Sequence, residues 1–126
     1  MVTKGLTTKG AGDAAEGRAL AHLQDRGLTL VRRNYRVARG PHARGGEIDL
    51  ILRDRDGTLV FVEVRARAGI DHGGAAASIG HAKRRSLVYA AQMFLLGYAA
   101  PPPSRFDVVA IDGERIEWLR AAFDAG

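Results

Sequence analysis

Alternation between apolar and polar positions is clearest in the middle of the chain. In Thr58-Leu-Val-Phe-Val-Glu-Val-Arg, an extended backbone places Val60, Val62 and Val64 on one face and Phe61, Glu63 and Arg65 on the other. In Gly46-Glu-Ile-Asp-Leu-Ile-Leu, it sets Ile48, Leu50 and Leu52 opposite Glu47, Asp49 and Ile51. Glu47 to Arg53 and Thr58 to Arg67 therefore predict two strands, joined by the turn residues Asp54 to Gly57.

Away from this hairpin the period changes. Asp13 can cap a helix running to about Arg26, with Glu16 as its capping-box partner and Gly27 as its stop. Leu28 to Arg36 reads as a strand, followed by a Gly/Pro/Arg loop through Gly46. Residues 69 to 77 form a Gly/Ala-rich loop. Ser78 then caps a long helix ending at Gly97, with Ile79, Leu87, Ala90, Ala91, Phe94 and Leu95 on its buried side. Pro101 to Pro103 make a stiff connector. A last hairpin pairs Arg105 to Ile111 with Arg115 to Leu119. Residues 1 to 11 lack periodicity and read as a flexible tail before a single domain over 12 to 126. The order helix, three strands, helix, two strands predicts an α/β domain: a mixed five-stranded sheet flanked by helices.

Composition narrows the function classes. A 126-residue chain with 46% hydrophobic and 26% charged residues suits one globular domain. With no cysteine, disulfides, thiolate metal sites and a cysteine nucleophile are excluded. Met1 to Gly12 has no signal-like apolar run, and Leu87 to Ala100 is shorter than the roughly 20 residues of a bilayer span. A soluble, cytoplasmic protein with no membrane partner is expected. The net charge is +5, and neither Arg26 to Gly46 nor His72 to Phe106 contains an acid. Such basic surfaces attract polyanions, although a plain solvated face has the same composition. Arg33, Arg36, Arg67, Lys83, Arg84 and Arg85 are the candidate phosphate contacts. Tyr35 and Trp118 read as packing residues, Asp107 as a structural salt-bridge partner, and the scattered histidines as surface residues.

The chemistry concentrates in the central hairpin. A three-residue loop, Arg55 to Gly57 with a left-handed Gly57, sets Asp49 directly across from Glu63 and Glu47 across from Arg65. Opposed carboxylates about 5 Å apart repel unless a positive charge lies between them. A hard divalent cation, bound through one or two carboxylates with water and substrate phosphate, meets that need. Glu16 lies on one helix face with Ala19, Leu20 and Leu23, where an acid is costly unless paired or metal-linked. Its alternative role is the capping box.

Glu16-Gly-Arg-Ala, Arg33-Asn-Tyr-Arg, Gly46-Glu-Ile-Asp-Leu-Ile, Phe61-Val-Glu-Val-Arg-Ala-Arg and Arg105-Phe-Asp-Val-Val together resemble the YraN family of small bacterial proteins. That family looks like the restriction-endonuclease (PD-(D/E)xK) and Holliday-junction-resolvase superfamily. The resemblance spans Gly12 to Phe123. It implies an endonuclease-like fold with Glu16, Asp49 and Glu63 as metal-site acids. Position 65 departs from the pattern, which has lysine there; an arginine stays protonated and cannot serve as a base.

Two functions are expected from this reading. One is hydrolysis of DNA phosphodiesters, including branched or recombination and repair intermediates. Asp49 and Glu63 would hold Mg²⁺ (or Mn²⁺), Glu16 would add an acid, and Arg65 would stabilise phosphate charge. The other is a catalytically inactive nuclease fold that binds nucleic acid or a partner protein. DNA is expected in preference to RNA. A homodimer is a candidate assembly, since many such enzymes cut two strands as symmetric pairs, but no residue pattern marks its face.

Overall fold

The computed structural model describes residues 8–41, 45–67 and 79–125. Among these residues, two helices and five strands follow in the order α1 (Thr8–Asp25), β1 (Thr29–Val37), β2 (Gly46–Arg53), β3 (Leu59–Arg67), α2 (His81–Leu95), β4 (Ser104–Asp112) and β5 (Arg115–Phe123). The strands lie side by side in chain order in one sheet. Only β3 and β4 are parallel, because α2 carries the chain back between them, as a parallel pair requires. The mixed five-stranded sheet with two helices is the expected architecture and is compatible with a restriction-endonuclease-like fold. No helix among the described residues is long and apolar enough to cross a membrane.

Each face of the sheet has its own core. On the α1 side, Ala15, Ala19 and Leu23 pack on Leu50, Leu52, Val60, Val62 and Val109. On the α2 side, Leu87, Ala90 and Ala91 pack on Ile48, Ile51, Leu59, Phe61 and Phe106. The alternation read in β3 holds. In β2 it breaks at Asp49, because Ile48 packs on the α2 side rather than with Leu50 and Leu52. A strand twisted at that point presents residue 49 to the gap between strands.

Helix boundaries differ from expectation at both N-termini. Helix α1 starts at Thr8, inside the segment read as a tail, so Asp13 is an interior residue and no cap. The capping-box role of Glu16 falls with it. At the other end Gly27 takes φ +101°, and the Leu28 N–H returns to the Leu23 carbonyl at 3.1 Å, the left-handed stop expected there. Helix α2 starts after Gly80, which offers no side-chain cap. The 69–77 loop and Ser78, read as the cap, lie outside the described residues. Ile79 is buried, but ahead of the helix and against Val108. Strand β5 continues past Leu119 to Phe123.

Gly46 decides how closely α2 can approach. A β-carbon there would stand 2.5 Å from the Ser86 carbonyl oxygen and 2.8 Å from the Ala90 nitrogen. Only glycine lets the helix backbone rest on the start of β2. That contact carries the first turn of α2 toward the acidic residues of the hairpin.

Candidate active site

The hairpin register is the expected one. Leu50 faces Val62, Ile51 faces Phe61 and Leu52 faces Val60, and Gly57 is left-handed at φ +91°. The backbone ladder ends at Leu50, one step before Asp49 and Glu63. There the Asp49 side chain replaces it: Val64 N–H donates to Asp49 Oδ2 at 2.9 Å. A backbone donor that would otherwise lose its partner thus fixes the carboxylate between β2 and β3.

Glu63, only 4% exposed, lies beside Asp49. Its Oε1 accepts no hydrogen bond. Two cations approach without reaching ordinary hydrogen-bond distance: Lys83 Nζ from α2 is 3.6 Å from Oε1, and Arg65 Nε is 3.5 Å from Oε2. Burial first, then the Asp49 charge, pushes the Glu63 carboxyl up to about 8, against the lowering pull of Lys83 and Arg65. A buried acid that is neutral or half-ionised near neutrality is the expected result when solvation is removed and a like charge is close.

Glu16 extends from α1 toward the same aspartate. Its carboxyl is also raised, by burial and then by Asp49, with Arg33 pulling it down. Arg33 NH2 lies 3.8 Å from Glu16 Oε1, which has no hydrogen bond. Asp49 therefore links an acid on the α1 side to one that meets α2.

A divalent cation fits part of this set. The undonated Glu63 oxygen next to Asp49 matches the two-carboxylate mode in which Mg²⁺ keeps water and takes substrate oxygens. A three-acid cage is not formed: among the described residues, no three His, Cys, Asp or Glu side chains are placed to hold one ion. Glu16 neighbours the pair rather than completing a triad of ligands.

The remaining expected contacts separate. Glu47 does not face Arg65; it pairs across the other edge of β2 with Arg36 at 3.5 Å, because the β2–β3 ladder has already ended. Arg33, expected on phosphate, is engaged with Glu16. Arg84 turns away from the pocket to lie 5.2 Å over the Phe123 ring. The Arg67 side chain is outside the described residues. Lys83, which from its helix face could reach either solvent or the pocket, stands beside Glu63. Its helical spacing with Leu87, Ala90 and Phe94 was the available signal. Arg36, Lys83 and Arg85 also border a groove whose other polar residues are Arg39, Glu47, Ser86 and Tyr89; no motif or spacing in the sequence singles out Arg39 or Tyr89. Tyr35 packs edge-on against Phe94, and Trp118 donates to Asp107, the packing and structural roles expected for them.

Fold and acid cluster define a class: a small α/β domain with a restriction-endonuclease-compatible sheet and carboxyl groups gathered where two strands part. Within that class, the chain belongs to the uncharacterised protein family UPF0102, whose family model matches residues 15–111. This is the YraN family that the motifs resemble. The chain is 66% identical over 120 residues to a UPF0102 protein of Methylibium petroleiphilum, covering 95% of this chain and 98% of that one. It is 64% identical to a UPF0102 protein of Paracidovorax citrulli, covering 95% and 87% respectively.

Proposed function

We propose that this protein is a divalent-metal-dependent nuclease that hydrolyses phosphodiesters of nucleic acid, DNA before RNA, at Asp49 and Glu63. The observation that carries the reading is the Glu63 carboxylate: buried, undonated at Oε1, and beside a second acid. A fold does not retain such a group for stability, and a hard cation with a phosphate is the chemistry that relieves it. Asp49 and Glu63 would hold Mg²⁺ or Mn²⁺, which when bound polarises a phosphoryl oxygen and acidifies water.

The protein's own groups have distinct roles. Val64 N–H holds the Asp49 carboxylate in place. Arg65, still partly exposed, meets phosphate charge but cannot take a proton. Lys83 supplies the ammonium that the superfamily pattern places at position 65. It balances Glu63 in the free protein and turns to a phosphate oxygen in the complex. Glu16 keeps negative potential on the far side of Asp49.

The test is a panel of linear, branched and single-stranded DNA and RNA incubated with Mg²⁺ or Mn²⁺. Wild type should cleave at least one substrate only with metal. Asp49→Ala and Glu63→Ala should abolish that cleavage while far-UV circular dichroism stays unchanged. Cleavage surviving in both purified variants refutes the proposal.

Arg65 supports a second reading, an inactive nuclease fold that binds nucleic acid or a partner protein without cutting. Arg65→Lys separates the two. Activity that appears or rises with lysine supports an intact site, whereas silence in wild type and variant alike supports binding alone.

A further inference from the structure

Beside the acid cluster, a groove of about 900 Å³ runs between the end of β1, the start of β2 and the first turns of α2. Its charged lining is Arg36, Arg39, Lys83 and Arg85 against the single acid Glu47, and Glu47 is already engaged by Arg36. Helix α2 begins at this wall with no acidic residue in its first turn and no side-chain cap. Instead that turn carries Lys83 and Arg84, with Arg85 directly after it. Cations gathered at the positive end of a helix dipole repel it, and an anion at that end reverses the sign of the interaction.

Two further features specify the anion. Tyr89 lines the groove, and the Arg39 guanidinium lies 4.7 Å over its ring. The ring thus backs the exposed guanidinium, a flat cationic surface of the kind on which an unstacked base rests. The groove's volume of about 900 Å³ is at the upper end of single-ligand clefts and suits a few nucleotides of one strand. Lys83 belongs both to the groove wall and to the Glu63 contact, so a strand lying in the groove would run toward the acids.

We infer that this groove binds an unpaired strand of nucleic acid, with its phosphates on Arg36, Arg85 and Lys83 and one base on the Tyr89–Arg39 pair. The substrate class is thereby single-stranded nucleic acid rather than intact duplex. The inference rests on the nucleic-acid reading above but not on hydrolysis.

The experiment is fluorescence anisotropy of the full chain at low salt in EDTA, with a short oligothymidylate, an oligouridylate and a blunt duplex of equal length. Both single strands should bind more tightly than the duplex, and the two arms rank DNA against RNA. Tyr89→Ala and Arg39→Ala should each weaken single-strand binding about 5- to 100-fold, the range for loss of one stacked base, with duplex binding unmoved. Tyr89→Phe should keep wild-type affinity, and Arg39, being exposed, can be replaced without loss of fold. Arg85→Ala should reduce the salt dependence by about one ion. Because every arm is run in EDTA, a failed cleavage assay leaves this result standing. Equal affinity for duplex, unchanged affinity in both Tyr89→Ala and Arg39→Ala, or no binding by any oligonucleotide would overturn the inference.

Discussion

Asp107 and Glu63 stand on adjacent strands, and they are the two charged residues buried among the described part of the chain. Their surroundings are opposite. Asp107 accepts from Arg105 Nε at 3.0 Å, from Trp118 Nε1 at 2.9 Å and from Ala121 N–H at 2.9 Å. Arg105 continues to Asp54 at 2.9 Å, which ties the sheet to the β2–β3 turn. Ala121 has φ +50°, an unfavourable conformation for a residue with a β-carbon, and its bond to Asp107 holds β5 through that irregularity. Glu63 Oε1 accepts no hydrogen bond among the described residues, and Arg65 and Lys83 stop at 3.5 and 3.6 Å from the carboxyl. A buried carboxylate with its lone pairs filled is part of the framework. One left with an empty oxygen and a like-charged neighbour costs the fold stability and is available to a ligand.

Replacing each carboxylate by its amide should break this comparison if it is wrong. Asp107→Asn removes the charge from a satisfied cluster and should destabilise the protein by about 3–5 kcal/mol in urea unfolding, the usual effect of removing one partner of a buried pair. Glu63→Gln should leave stability unchanged or higher at pH 8. Equal losses in the two variants would mean that both acids are structural.

The pH dependence sharpens the same contrast. An unfolded chain releases the Glu63 proton near the ordinary value of 4.5, whereas the folded chain keeps it until about 8. Between those values the unfolded state binds fewer protons, so stability falls as pH rises and levels off above about 8. The stability of wild type minus that of Glu63→Gln should therefore decline across this window by an amount on the order of a few kcal/mol. Mg²⁺ should raise the melting temperature of wild type more at pH 8 than at pH 5, because it binds the ionised pair. A flat difference across the window would sink the assignment of Glu63 as a strained acid.

The smallest effect concerns Arg33. Its ion pair with Glu16 is partly exposed and spans 3.8 Å, so Arg33→Ala should change stability by less than about 1 kcal/mol. It should also leave oligonucleotide affinity close to wild type while Arg85→Ala lowers it. A loss of affinity in Arg33→Ala as large as that in Arg85→Ala would move the binding face to the α1 side.

The central hairpin was legible from the sequence because its information is local. Period-two alternation, a short turn and Gly57 suffice to set one register, and that register brings position 49 beside 63. The mixed sheet also followed from the element order, since the helix between β3 and β4 supplies the crossover that a parallel pair needs. Strong local signals could mislead as well: Asp13 has the chemistry of a helix cap, yet α1 runs through it from Thr8. What the chain alone left open depends on how its layers meet. The twist of β2 at Asp49, the seating of α2 on Gly46, the approach of Lys83 to Glu63 and the meeting of Arg39 with Tyr89 all join residues from separate elements. No periodicity within one element encodes such distances. They are set when both faces of the sheet close over their cores, and that packing determines which buried acid is satisfied and which is left for a ligand.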